Sequence, residues 1–169
     1  LDVFGVHGVG GFTGTLLAFR HAHPLFRRRG WFQGRALHGQ GVQDVAWLTP
    51  AGKEMSEQDW SVGFAKSLMV FMNGNAIPGG GPHGEAIVDD PFLLCFNAHY
   101  EPLSFRTPTA SYGARWRRVL DTADPELVSA IGELAAQSEL TLESRSMVVL
   151  GSGSVAGVGL AAAGIPLLG

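Results

Sequence analysis

The chain has one cysteine, Cys95, in 169 residues. A disulfide framework within it is therefore impossible, and a reducing cytoplasm is its natural setting. Cys95 sits in an apolar run (92–96) with no evident basic neighbour to lower its pKa, so it reads as a buried structural thiol rather than a nucleophile. Charge is also sparse, at 16% of residues and a net −3, with the basic residues local rather than spread over a face. That excludes a general nucleic-acid binder. Asp2 is the only charge in residues 1–19, and residues 151–169 carry none. No repeat at solenoid or propeller period is present, and no basic region heads a signal peptide. The chain opens at Leu1 without Met, which suggests an excised piece, a processed product or a partial chain. It is too short for a (β/α)₈ barrel, which needs about 250 residues. A hydrophobic fraction of 46% still suffices for one packed core.

Catalytic and metal-binding patterns are missing too. His38 and His99 stand apart from any acid at metal-ligand spacing, so neither a zinc site nor a Ser-His-Asp arrangement is expected. Asp44, Asp59, Asp89 and Asp90 fall in turns or at strand edges, where surface or capping roles are expected. No cofactor is implied. Arg27, Arg28 and Arg29 form the one basic cluster, read as salt-bridged or solvated in preference to a phosphate or acidic-partner site.

What is present reads mainly as strands. Residues 15–22 predict a short helix with Leu16, Leu17 and Phe19 on its apolar face, ended by His23 before Pro24. VQDVAWL (42–48) alternates as a half-buried strand does, and Thr49, Pro50, Ala51 and Gly52 supply a turn. Ser56 and Asp59 form a capping box that starts a short helix at Glu57. SLMVFMN (67–73) is a continuous apolar run, as in a buried strand, and residues 77–83 form a Pro/Gly loop. FLLCFNA (92–98) and LSFRT (103–107) predict two strands joined by a short hairpin connection over 97–102. RWRRVLD (115–121) and SRSMVVL (144–150) bring the set to about six strands, with a helix starting at Asp124, Pro125 and Glu126. Short strands with Gly- and Pro-rich turns predict an antiparallel β-sandwich preceded by a short helix. Residues 20–150 form that domain, between a Gly-rich apolar segment (1–19) and an apolar Gly/Ala-rich tail (151–169) whose GSGS start reads as a linker.

Four tryptophans, Trp31, Trp47, Trp60 and Trp116, raise the possibility of stacking on a glucose ring. Trp60, beside Asp59 and just past the cap, is the best candidate for exposure and for binding a sugar. Core packing or a domain interface outweighs that reading, because aromatic residues mostly bury area. Leu16, Leu17, Phe19 and Phe26 need a covering surface, so self-association is plausible.

HPLFRRRGWFQGR, GVQDVAWLTPAGKEMSEQDW and FAKSLMVFMNGN, all within 23–75, carry a resemblance that continues through DDPFLLCFNAHYEPLSF (89–105), RWRRVLDT (115–122) and SRSMVVL (144–150). Residues 17–150 thereby resemble the C-terminal part of glycogen debranching enzymes of the isoamylase type, in the α-amylase superfamily. The resemblance implies that LLAFRHAHPLFRRR corresponds to the final helix of a catalytic barrel, and that a β-sandwich follows it. It implies hydrolysis of α-1,6-glucosidic branches of glycogen or limit dextrin, with α-glucan bound through a barrel that this chain lacks. The two carboxylates of that retaining mechanism lie in barrel strands. No segment here matches their motifs, so no catalytic residue is assigned and the chain alone is expected to be inactive. A stand-alone glucan-binding or structural module is the alternative.

LDVFGVHGVGGFTGTLLA (1–18) separately resembles a pore-lining helix of ammonium channels, in which His7 would be a pore histidine. The uncharged run 3–19 is marginal for spanning a bilayer, where about 20 residues are usual. The charges and turns of the central zone argue against membrane insertion. A junctional N-terminus is the plainer reading of this segment, and a transporter fragment ranks last.

Overall fold

The computed structural model describes residues 14, 16–28, 30–34, 42–62, 66–124 and 132–153. Residues 16–22 are helical (α1), and a 3₁₀ turn follows at Pro24–Arg27. The rest is built from β1 (Val45–Leu48), α2 (Glu57–Trp60), β2 (Ser67–Met72), β3 (Phe92–Asn97), β4 (Leu103–Arg106), β5 (Arg115–Asp121), β6 (Leu134–Ala135), β7 (Glu139–Leu142) and β8 (Ser146–Gly151). A six-stranded sheet in the order β1-β2-β3-β8-β5-β6 packs against a two-stranded sheet, β4-β7, and every pairing is antiparallel. This is the β-sandwich that the turn-rich pattern predicts.

Strand alternation decides what each side of the large sheet meets. Ala46, Leu48, Met69, Phe71, Leu93, Cys95, Val148 and Leu150 point inward to a core shared with Phe105, Leu140 and Leu142 of the small sheet and closed by Trp116. The intervening residues point outward, and there Phe92, Leu120 and Val149 form a second core with Leu25 and Ile77. Phe19, Phe26 and Phe32 of the leading segment pack onto it. β2 and β3 are continuously apolar because both of their faces have apolar work to do. Burial of Phe92 contributes about 1.5–3 kcal/mol, and the half-buried Phe19, Phe26 and Phe32 add to it. It gives Phe19 and Phe26 the covering surface that their sequence calls for: their rings lie 5.5 Å and 5.1 Å from that of Phe92.

Three local expectations change. Strands β3 and β4 do not form a hairpin, since β3 pairs with β2 and β8 while β4 pairs with β7. The connection 97–102 instead carries the chain between sheets. Buried Asn97 holds this crossover: its Nδ2 donates to the carbonyls of Glu101 and Glu143, both at 2.9 Å, and its Oδ1 accepts from the His99 amide. The short strands β6 and β7 add to the predicted set. The first strand starts at Val45 rather than 42, because Asp44 turns inward to bind main-chain amides. The helix expected to start at Asp124, Pro125 and Glu126 lies, beyond Asp124, outside the described residues.

The turn at residues 49–52 forms as expected. Gly52 adopts φ +76°, and its amide donates to the Thr49 carbonyl. A Cβ there would also sit 2.7 Å from the Arg106 carbonyl oxygen, so both conformation and space require glycine. The capping box at Ser56 and Asp59 is complete in both directions. Among the described residues no helix is long and apolar enough to cross a membrane.

Candidate functional site

Two buried carboxylates fasten the leading segment to the sandwich. Asp89 follows the Pro/Gly loop, and the close fit of Gly74 against the Asp89 and Asp90 carbonyls sets its backbone. Its Oδ2 accepts the Leu25 amide at 2.9 Å, at the start of the 3₁₀ turn, where free amides need acceptors. Its Oδ1 lies 2.8 Å from Nδ1 of His23 and also accepts the Asp90 amide. Asp44, just ahead of β1, accepts the Gln33 and Gly34 amides at 2.9 Å and 2.8 Å and faces Arg28 at 3.7 Å. Arg28 stacks over Phe32 and donates to the Gly30 and Trp31 carbonyls. These aspartates are therefore buried anchors, where their sequence positions indicate surface or capping groups. The basic cluster is salt-bridged at Arg28, as expected, and Arg27 is exposed.

The described surface holds an open apolar groove of about 460 Å³ on the outer face of the large sheet. It is lined by Trp47, Lys66, Ser67, Leu68, Val70, Phe96 and Ala98. Register explains the lining: Trp47 pairs with Val70, Leu68 with Phe96, and all four side chains alternate away from the inner core. Trp60 on α2 meets Trp47 edge to face, with ring centroids 5.5 Å apart. The two indoles are 53% and 45% exposed respectively. Trp60 thus has the openness that its position beside the cap implies. Trp47, which could have been core, joins it at the surface, while Trp116 is completely buried. Trp31 is the most open at 91%. His7 and His38 lie outside the described residues.

Acid–base chemistry has no foothold in this groove. Its lining contains neither a carboxylate nor a histidine. The buried Asp44, Asp89 and Asp121 are each engaged by amides and a basic side chain; Asp121 pairs with Arg118 at 2.9 Å and accepts the Ala123 amide. A second recess of about 250 Å³ is lined by Val42, Phe71, Asn73, Asn75, Pro91, Ser111 and Tyr112. There Tyr112 donates to Glu54, and burial followed by this hydrogen bond pushes its phenol well above the usual range. Cys95 is fully buried, and desolvation drives its thiol upward, so it is inert as a nucleophile. No group of three or more potential metal ligands occurs among the described residues.

Comparison with known proteins follows the same lines. Residues 44–155 match the family described as "Isoamylase, C-terminal". The chain is 40% identical over 144 residues to the "Glycogen operon protein GlgX homolog" of Mycobacterium tuberculosis, covering 82% of this chain and 19% of that protein. It is 26% identical over 113 residues to an "Isoamylase" of Pseudomonas amyloderamosa, covering 67% of this chain and 12% of that one. An "Isoamylase" of Flavobacterium sp is 25% identical over 112 residues. The chain therefore spans about a fifth or less of the length of these curated relatives. The likeness of residues 1–18 to a channel helix is not borne out by them. A β-sandwich fastened to a leading helix, matched over two-thirds of its length by one family, identifies the chain as a member of the isoamylase C-terminal domain family.

Proposed function

We propose that this chain acts as the C-terminal domain of a cytoplasmic glycogen debranching enzyme that hydrolyses α-1,6-glucosidic branches of glycogen or limit dextrin. In this reading its task is to brace and shield a catalytic barrel that supplies both carboxylates and holds the α-glucan. The observation that carries the reading is the 40% identity to the GlgX homolog over 82% of the chain. The docked leading segment agrees with it, since it clamps an incoming helix onto the sandwich as a domain joint requires. Single buried Cys95 suits a reducing compartment.

The test is a chimera of the tuberculosis relative in which this chain replaces the 144 residues that match it. Release of maltooligosaccharides from limit dextrin by the chimera, with none from the 169-residue chain alone, is the expected result. Release by the isolated chain, or a well-folded chimera without debranching activity, would overturn the proposal.

A further inference from the structure

Building on the debranching-enzyme reading, we infer that the uncovered half of the outer sheet face, Trp47, Leu68, Val70 and Phe96 with Trp60 beside them, is the seat of the catalytic body. That body meets the face with an apolar, helical surface continuous with α1.

The outer face is one apolar surface, half covered. Along β3, Phe92 and Leu94 belong to the outer core beneath the leading segment, while Phe96 on the same row lines the open groove. Along β2, Met72 is covered whereas Val70 and Leu68 are open. Helix α1 already shows what kind of element this face accepts, since helices are the usual layer over a sheet. On the side of α1 that faces away from the sheet, Leu17 is 55% exposed beside the exposed Arg20 and His21, so the apolar surface is centred on the groove.

The opposite side of the sandwich is built for water. The outward positions of β4 and β7 are Ser104, Arg106, Glu139 and Thr141, all exposed. By contrast, Leu17, Trp31, Trp47, Trp60, Val62 and Val88 lie on the outer face or in segments adjoining it. An exposed apolar concentration of this kind marks an interaction surface. Its chemistry disfavours a sugar: only Lys66 and Ser67 are polar in the lining, whereas ligand recognition needs several convergent polar groups. A standard protein interface needs about 800 Å² per partner, so the contact with the catalytic body extends beyond the groove itself. In the GlgX homolog the matched portion is 19% of the length, so a far larger body accompanies the domain.

Hydroxyl-radical footprinting of the free chain and of the chimera tests this directly. Trp47, Trp60 and Phe96 should oxidise markedly more slowly in the chimera, while Tyr100, 64% exposed and away from this face, oxidises equally in both. Equal oxidation of Trp47 and Phe96 in the two would refute the inference, even if the chimera debranches dextrin. Protection without debranching would uphold the docking face and defeat the proposed activity. Protection of the free chain by added glycogen, or by its own rising concentration, would assign the face to a saccharide or a second copy and overturn the inference. A charge provides a second arm. Val70→Lys should lower the melting temperature of the chimera but not of the free chain, and Thr141→Lys should alter neither; equal effects of Val70→Lys on both would also overturn it.

Discussion

Nδ1 of His23 lies 2.8 Å from Oδ1 of Asp89, a residue 66 positions further along the chain, and the other oxygen of the same carboxylate holds the Leu25 amide. One side chain thus binds the end of the incoming helix to the loop before β3. Above it the rings of Phe19, Phe26 and His23 gather around Phe92.

Removing that carboxylate should loosen the leading segment first. Asp89→Ala leaves the Leu25 amide and the Asp90 amide without their acceptor and should cost about 2–3 kcal/mol. Urea titration measures the loss. Hydrogen exchange should show it concentrated in residues 16–28, with β4 and β7 little changed.

Gly74→Ala should be at least as damaging, for a steric reason. A Cβ at this position runs into the carbonyls of Asp89 and Asp90, both main-chain groups that cannot swing aside. A loss of about 3 kcal/mol, the upper end of overpacking costs, is expected. Adding Asp89→Ala to it should give less than the sum of the two losses, because both changes disturb the same loop.

The thiol of Cys95 should be silent in the native protein. It is wholly buried between Met69 and Val148 in neighbouring strands, and desolvation raises its pKa. Reaction with a thiol reagent at pH 8 should therefore follow the rate of unfolding rather than reagent concentration. Cys95→Ser places a hydroxyl in the core and should cost about 1–3 kcal/mol.

Asp59 should report acid through α2. Hydrogen bonds from the Ser56 hydroxyl and then the Ser56 amide hold its carboxyl below the usual value. A depressed folded pKa means the cap's contribution is complete above the unfolded value of about 4 and disappears as pH falls through the folded one. Trp60 ends this helix and touches Trp47, so indole fluorescence should change in that window at low pH. Asp59→Asn should abolish the transition; an unchanged acid titration in that variant would remove Asp59 as its source.

Much of this architecture is legible in the residues. Unbroken apolar runs mark β2 and β3, the Pro50 to Gly52 turn closes as written, and Ser56 with Asp59 announces α2. Alternation even places Trp47 opposite Ala46 and Leu48, a signal of its exposure. What escapes is long-range. Asp44 and Asp89 look like loop acids because their partners are main-chain amides 10 to 64 residues away, which spacing does not reveal. The 97–102 segment has hairpin chemistry, yet Asn97 binds Glu143 and sends β4 to another sheet. Strand β7, only four residues long and half polar, gains its order from Leu140 and Leu142 in the shared core.

The fastening of residues 16–34 has an evolutionary corollary. The family match begins at residue 44, yet Phe92 and Val149 inside that span are covered by side chains from before it. A recombination breakpoint at residue 44 would separate a sheet from its own lining and expose a greasy scar on both products. The structural unit is therefore longer than the span of the family match, and it takes the helix along with it.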